Sequence, residues 1–261
     1  MNTDEIKKRL ARLQTKGSSN PNSNGKKWSD NFWKLTPGKK HEIRIVKYKH
    51  SDDTLPFTEL YFYFGIGKPR MISLVNYDEA DPIMEFASEL RKTNEEDNKK
   101  LAKKLNPKMR VFAPVIVRGE EDKGVRFWEF GPQAYTELLQ YMDDEDYGDI
   151  TDVENGFDIK LEQIPAEQSG KAYPTTTIKL KPRTTPLSKD AKQAEDWLEN
   201  QPNVKKLYTK VEYDDMKTSL MEWVKPKLEG GEEEEAVSSG TNYTDTKKKN
   251  VNKELDDLFE D

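Results

Sequence analysis

Cysteine is absent from this chain, and histidine occurs only at His41 and His50. Disulfides, thiolate metal sites and a cysteine nucleophile are excluded, and the composition suits a reducing compartment. No apolar run approaches the ~20 residues needed to cross a bilayer. The start, MNTDEIKKRL, lacks the apolar region of a signal peptide. The expectation is a soluble intracellular protein with no membrane partner. Apolar residues are also scarce, 33% against 35% charged, so part of the length is expected to be disordered. A phosphate-cradling loop is missing too, since GIGKPR (65–70) has neither the length nor the Ser/Thr of one. Catalysis is therefore not expected. A metal-dependent nuclease would need carboxylates converging at strand ends, and the densest acidic group, DDEDYGD (143–149), reads as a solvated loop.

The net charge of −6 argues against a polyanionic partner until its distribution is considered. Residues 1–27 hold 7 basic and 2 acidic side chains, whereas 229–261 hold 4 basic and 11 acidic. LAKKLNPKMRVFAPVIVR (101–118) and KAYPTTTIKLKPRTTPLSK (171–189) carry five cations each and no acid. MDDEDYGDITDVENGFD (142–158) carries eight acids and no cation. Such segregation suits a cationic track for phosphate, flanked by acidic loops and tails.

Strands are expected at about 40–49, 57–66, 109–118, 124–130, 156–164 and 174–182. Successive side chains of a strand point to opposite faces. In RVFAPVIVRGEEDKGVRFWEFG (110–131), Val111, Ala113, Val115 and Val117 fall on one face, joined by Val125 and Phe127. The other face then holds Arg110, Phe112, Ile116, Arg118, Arg126, Trp128 and Phe130. An exposed aromatic can simply pack under a helix, and a surface arginine is ordinarily just solvated. Cations interleaved with flat rings nevertheless match the needs of an unpaired nucleic-acid strand, whose bases stack at ~1–3 kcal/mol each. Arg44 and Tyr48 share an outer face in the first strand. In the last strand Thr175, Thr177, Lys179 and Lys181 turn outward, followed by Arg183.

Helical periodicity appears at DPIMEFASELRK, DNKKLAKKL, PQAYTELLQYM, KDAKQAEDWLENQ and YDDMKTSLMEWVK. The expected fold is mainly β with α (α+β). Its centre is an OB-fold-like barrel of five to six strands with an inserted helical subdomain at about 78–106, C-terminal helices and disordered termini. Residues 1–27 read as a basic N-terminal arm with an amphipathic helix carrying Lys7, Lys8, Arg9 and Arg12. Residues 28–228 form the core. Residues 229–261 form an acidic tail whose end, KELDDLFED, offers Leu255, Asp256, Asp257, Leu258 and Phe259 to a partner groove.

The layout resembles the single-stranded DNA-binding proteins of T-even-type bacteriophages, particularly those of phages of marine cyanobacteria. The resemblance spans nearly the whole chain. It runs through FWKLTPGKKHEIRIV, LPFTELYFYFGIG, MRVFAPVIVRGEEDKGVRFWEFG and YGDITDVENGFDIKL to the closing LDDLFED. It implies cooperative, sequence-nonspecific coating of single-stranded DNA in replication, recombination and repair, in the cytoplasm of an infected host cell. It also implies an arm that contacts neighbouring copies and a tail that recruits phage replication and recombination proteins. Family members commonly hold a structural zinc, and the corresponding positions are Tyr63, Ile72, Asp81 and Met84. Because a closed site needs four good N or S ligands, no zinc or other cofactor is expected, with Ile72, Met84 and Phe86 packing in its place. The family's compact Lys/Arg-then-Ser/Thr motif is not reproduced cleanly; KKRLARLQTK has the cations but spreads them over a helix.

The DNA contacts expected from these readings are stacking by Phe112, Trp128, and Tyr48 or Tyr61, with phosphates neutralised by Arg44, Arg70, Arg110, Arg118, Arg126, Lys179, Lys181 and Arg183. The competing reading is a barrel adapter that grips RNA or protein.

Overall fold

The computed structural model describes residues 27–67, 69–93 and 95–229, and at 226–229 the backbone alone. The arm residues Lys7, Lys8, Arg9 and Arg12 and the tail residues Leu255, Asp256, Asp257, Leu258 and Phe259 lie outside this range. Among the described residues the fold is mixed α+β, with eight strands and six α-helices. The strands are β1 Phe32–Trp33, β2 Lys40–Ile45, β3 Thr58–Phe64, β4 Arg70–Ile72, β5 Lys108–Val117, β6 Arg126–Phe130, β7 Gly156–Ile164 and β8 Thr175–Thr185. The helices are α1 Pro82–Lys92, α2 Glu96–Lys104, α3 Pro132–Asp143, α4 Ala166–Ser169, α5 Ala191–Glu199 and α6 Tyr213–Glu229.

The chain divides into two units, one of residues up to 59 with 110–207, the other of 60–109 with residues from 208 onward. The helices expected at about 78–106 fall within the second unit, which begins at Leu60 and includes the last helix.

In the first unit the strand order is β1-β6-β5-β2-β7-β8. β1 joins parallel to β6, and the remaining neighbours are antiparallel. β1 and β8 are the two ends, so this sheet is open rather than closed into the expected barrel. The register of β7 with β8 breaks between Phe157 and Ile159. Pro182 lies in β8 at that irregularity, where a missing N–H is tolerated on an end strand. One side of the sheet is covered by α5. Asp190 caps this helix by accepting from the Lys192 N–H at 2.9 Å. Ala194 and Trp197 then pack with Leu187 against Val46, Ile116 and Val125. On the other side a chain of rings runs from Trp33 to Trp128 (6.5 Å between centroids), Phe130 (4.4 Å) and Phe57 (6.1 Å).

In the second unit β3 and β4 form a hairpin, with Phe62 opposite Ile72 and Phe64 opposite Arg70. α1 starts where Asp81 caps it and Pro82 supplies a preset φ. Ile83, Phe86, Ala87 and Leu90 recur at helical spacing and are buried. They share a core with Leu101 and Leu105 and with Met216, Leu220 and Val224 of α6.

Candidate nucleic-acid interface

Register decides which side chains share a face. In β5 and β6, Val111 pairs with Phe130, Ala113 with Trp128 and Val115 with Arg126. This is one residue away from the pairing that alternation suggested, and such a slip exchanges the two faces of a strand. Trp128 and Phe130 join Val111 and Ala113, while Phe127 joins Phe112. The expected common face of Phe112 and Trp128 does not exist, and both rings are sealed, at 0% and 2% exposure. Phe32 meets Phe112 edge-on at 6.2 Å. Phe112 and Trp128 are core residues, closed to a base. Tyr48 is also buried, edge-on to Phe127 at 5.6 Å. Its hydroxyl accepts from the Val204 N–H at 2.9 Å, and burial pushes its pKa up to about 12. Tyr61 is half-buried, its N–H donating to Asn76 Oδ1 at 2.9 Å.

Most of the expected phosphate contacts are likewise structural. Arg44 is 0% exposed; its Nε donates to Asp158 Oδ1 at 3.0 Å and its Nη2 to the Thr185 carbonyl at 2.7 Å. Arg118 Nη2 donates to the same Asp158 oxygen at 2.8 Å, and its Nη1 to the Leu187 carbonyl at 2.9 Å. One carboxylate thus ties two guanidiniums across β2, β5 and β7. Burial pulls the Arg44 guanidinium below its ordinary value, and Asp158 opposes that shift. Arg126 is buried and pairs with Glu120 at 2.9 Å. Lys123 and Arg126 together hold that carboxyl below its usual range. Arg110 is half-buried against Glu129 at 2.8 Å. In the second unit Arg70 is half-buried, its guanidinium 3.7 Å above the Phe62 ring. The physical reason is common to all of them: a guanidinium leaving water needs a carboxylate, carbonyl or ring.

Lys179, Lys181 and Arg183 fare differently. Lys40 and Glu42 of β2, Lys160 and Glu162 of β7, and Thr177 and Lys179 of β8 lie on one side of the sheet. That side is not covered at these strands, where Lys40, Lys160 and Lys179 are exposed, as is Arg183 farther along β8. On the opposite side Ile159, Leu161 and Ile178 are buried. Lys160 and Lys179 stand directly opposite each other. Among the described residues neither forms an ion pair, nor does Arg183. Like charges in a cross-strand pair destabilise a sheet, so this pair is a standing cost unless an anion lies over it. Lys181 reaches Glu42 at 2.6 Å, and Lys40 lies 3.8 Å from Glu162. The connection from β7 to β8 adds Lys171 and Tyr173, the latter 69% exposed.

Lys160, Lys171 and Tyr173 were not among the expected contacts. Lys160 does point outward in the alternation of GFDIKLEQI, but its position opposite Lys179 is a matter of register, which that pattern does not contain.

The residues at the four positions where the resemblance would place zinc do not fit the metal. Asp81 is buried, and its carboxylate already accepts five hydrogen bonds. The donors are Tyr63 Oη (3.0 Å), Ser73 Oγ (2.6 Å) and the N–H groups of Leu74, Ile83 and Met84. Three of the four positions, Tyr63, Asp81 and Met84, are thus bonded together, and the fourth, Ile72, is apolar and buried. Burial raises the Tyr63 phenol far above its ordinary value, which holds it as a donor.

A concavity of about 690 Å³ on α3 is lined by Gln133, Thr136, Glu137, Gln140, Tyr141 and Asp144. Two carboxylates and no cation make it unsuited to phosphate. Among known proteins, no family model matches this chain and no curated relative is found.

Proposed function

We propose that this protein binds single-stranded DNA without sequence preference, along the uncovered side of β2, β7 and β8. The observation that carries the reading is the Lys160–Lys179 pair, two exposed like charges set face to face. Phosphates of a polynucleotide would relieve that repulsion, and Lys40 and Arg183 would extend the track. Tyr173 is the exposed ring of this unit best placed to stack a base. We read the sheet as a partly open barrel of the oligonucleotide-binding type, which takes its ligand on an exposed face and its flanking loops. The resemblance in sequence supports the same function, with the basic arm contacting neighbouring copies and the acidic tail recruiting replication and recombination proteins. No catalytic step and no cofactor belong to this reading.

The test is fluorescence anisotropy of a labelled homopolymer oligonucleotide over a salt series. Affinity should fall linearly on a log–log plot, at about 0.7 per phosphate neutralised on a single strand. Lys160→Gln with Lys179→Gln should weaken binding about tenfold at low salt and flatten that slope by about 1.4. The same double substitution should stabilise the free protein by about 0.5 kcal/mol as the repulsion disappears. Salt-independent binding, or full affinity in the double variant, would sink the reading. Tighter binding to a matched RNA would redirect it to an RNA-binding module.

A further inference from the structure

Two acids are set into the cationic face. Glu42 is in register with Lys160, and its carboxylate holds Lys181 Nζ at 2.6 Å. Both side chains are about two-thirds shielded, at 31% and 30% exposure. A pair so placed is less screened than a surface pair. Lys181 follows Lys179 by two residues in β8, and Lys179 faces Lys160 across the strands. Glu42 thus lies beside Lys160 and engages Lys181.

We propose that Glu42 is a built-in competitor of the polynucleotide, occupying Lys181 as a phosphate would. The inference rests on the reading of function given above. In the free protein the carboxylate neutralises Lys181. When a strand binds, a phosphate must either displace Glu42 from Lys181 or bypass that lysine. Both routes lower affinity, and both remove one cation from the count that sets salt dependence. Glu42 therefore keeps binding weaker and less salt-sensitive than the number of lysines on this face would make it. Such a setting suits a coat that must come off its strand.

The experiment compares Glu42→Gln with Glu195→Gln, using the full chain and the same labelled homopolymer. Glu195 is exposed on α5, the helix packed over Ile116 of β5, and its substitution changes the net charge equally. Glu42→Gln should bind about threefold tighter at low salt, the size of one weakly screened charge pair. Its log–log salt slope should be steeper by about 0.7, as Lys181 becomes available to one more phosphate. In a Lys181→Gln background the same change at Glu42 should add no more than Glu195→Gln does, because the two residues act as one pair. A Glu42→Gln protein indistinguishable from Glu195→Gln, or a gain that persists without Lys181, overturns the inference and leaves the function standing. A wild-type protein that fails to bind the strand overturns both.

Discussion

On one side of the sheet, β5 and β6 place Phe112, Ile116 and Phe127 under α5 and β1, whereas β2, β7 and β8 leave Lys160 and Lys179 in water. The same alternation of side chains runs through both halves. What differs is the cover. Beneath it the guanidiniums of Arg44 and Arg118 share a partner in Asp158. Outside it two lysines remain opposed with no acid between them. The cations that shape the fold and those that offer themselves to a ligand are therefore separated by burial rather than by type.

The largest effect that would break this contrast lies at the shared carboxylate. Asp158→Asn leaves two guanidiniums without their anion and should cost about 4 kcal/mol, measured by urea unfolding. A loss under about 1 kcal/mol would show that Arg44 and Arg118 do not depend on it. Next come the sealed rings. Phe112→Ala should destabilise the protein by about 3 kcal/mol while the folded protein keeps its affinity for oligonucleotide. Lost affinity at unchanged stability would return the ring to the interface. The smallest of the three is alkaline. The Tyr48 phenol ionises at 10.0 when unfolded but at about 12 in the fold, because burial disfavours the phenolate. Its contribution is complete below pH 10 and is lost as pH rises toward 12, between about 2 and 3 kcal/mol in all. A Tyr48→Phe variant should lack that decline in a pH series of thermal melts.

Much of the architecture could be read from residue pattern alone. The strand around KHEIRIV, the long run from Lys108 to Val117 and the helices at Pro82–Lys92 and Pro132–Asp143 lie within a few residues of expectation. Their signals are local: period two, period 3.6, Asp81 before Pro82. The two-residue strand β1 escaped notice because it is held by pairing with β6, which no local pattern encodes. The faces of β6 differ from expectation for the same reason. Whether Trp128 sides with Phe112 or with Ala113 depends on where β6 is set against β5. The loop between them leaves that open. A clue did exist, since VFAPVIV contains no polar side chain, and an unbroken apolar run marks a strand covered on both faces. All seven of its residues are buried. The outward cations of β8 were legible because that strand is covered on one side and alternates cleanly, with Ile178 inside and Lys179 outside.

Two arginines on a single aspartate leave one positive charge undischarged inside the fold, on the side of the sheet that carries Lys160 and Lys179. A guanidinium does not give up its proton under physiological conditions. A molecule whose formal total is −6 therefore carries at this place a permanent electrical bias of the opposite sign. Lysine acetylation could strip the surface of its cations, yet this inner charge would stay, lowering the local potential energy of any passing anion.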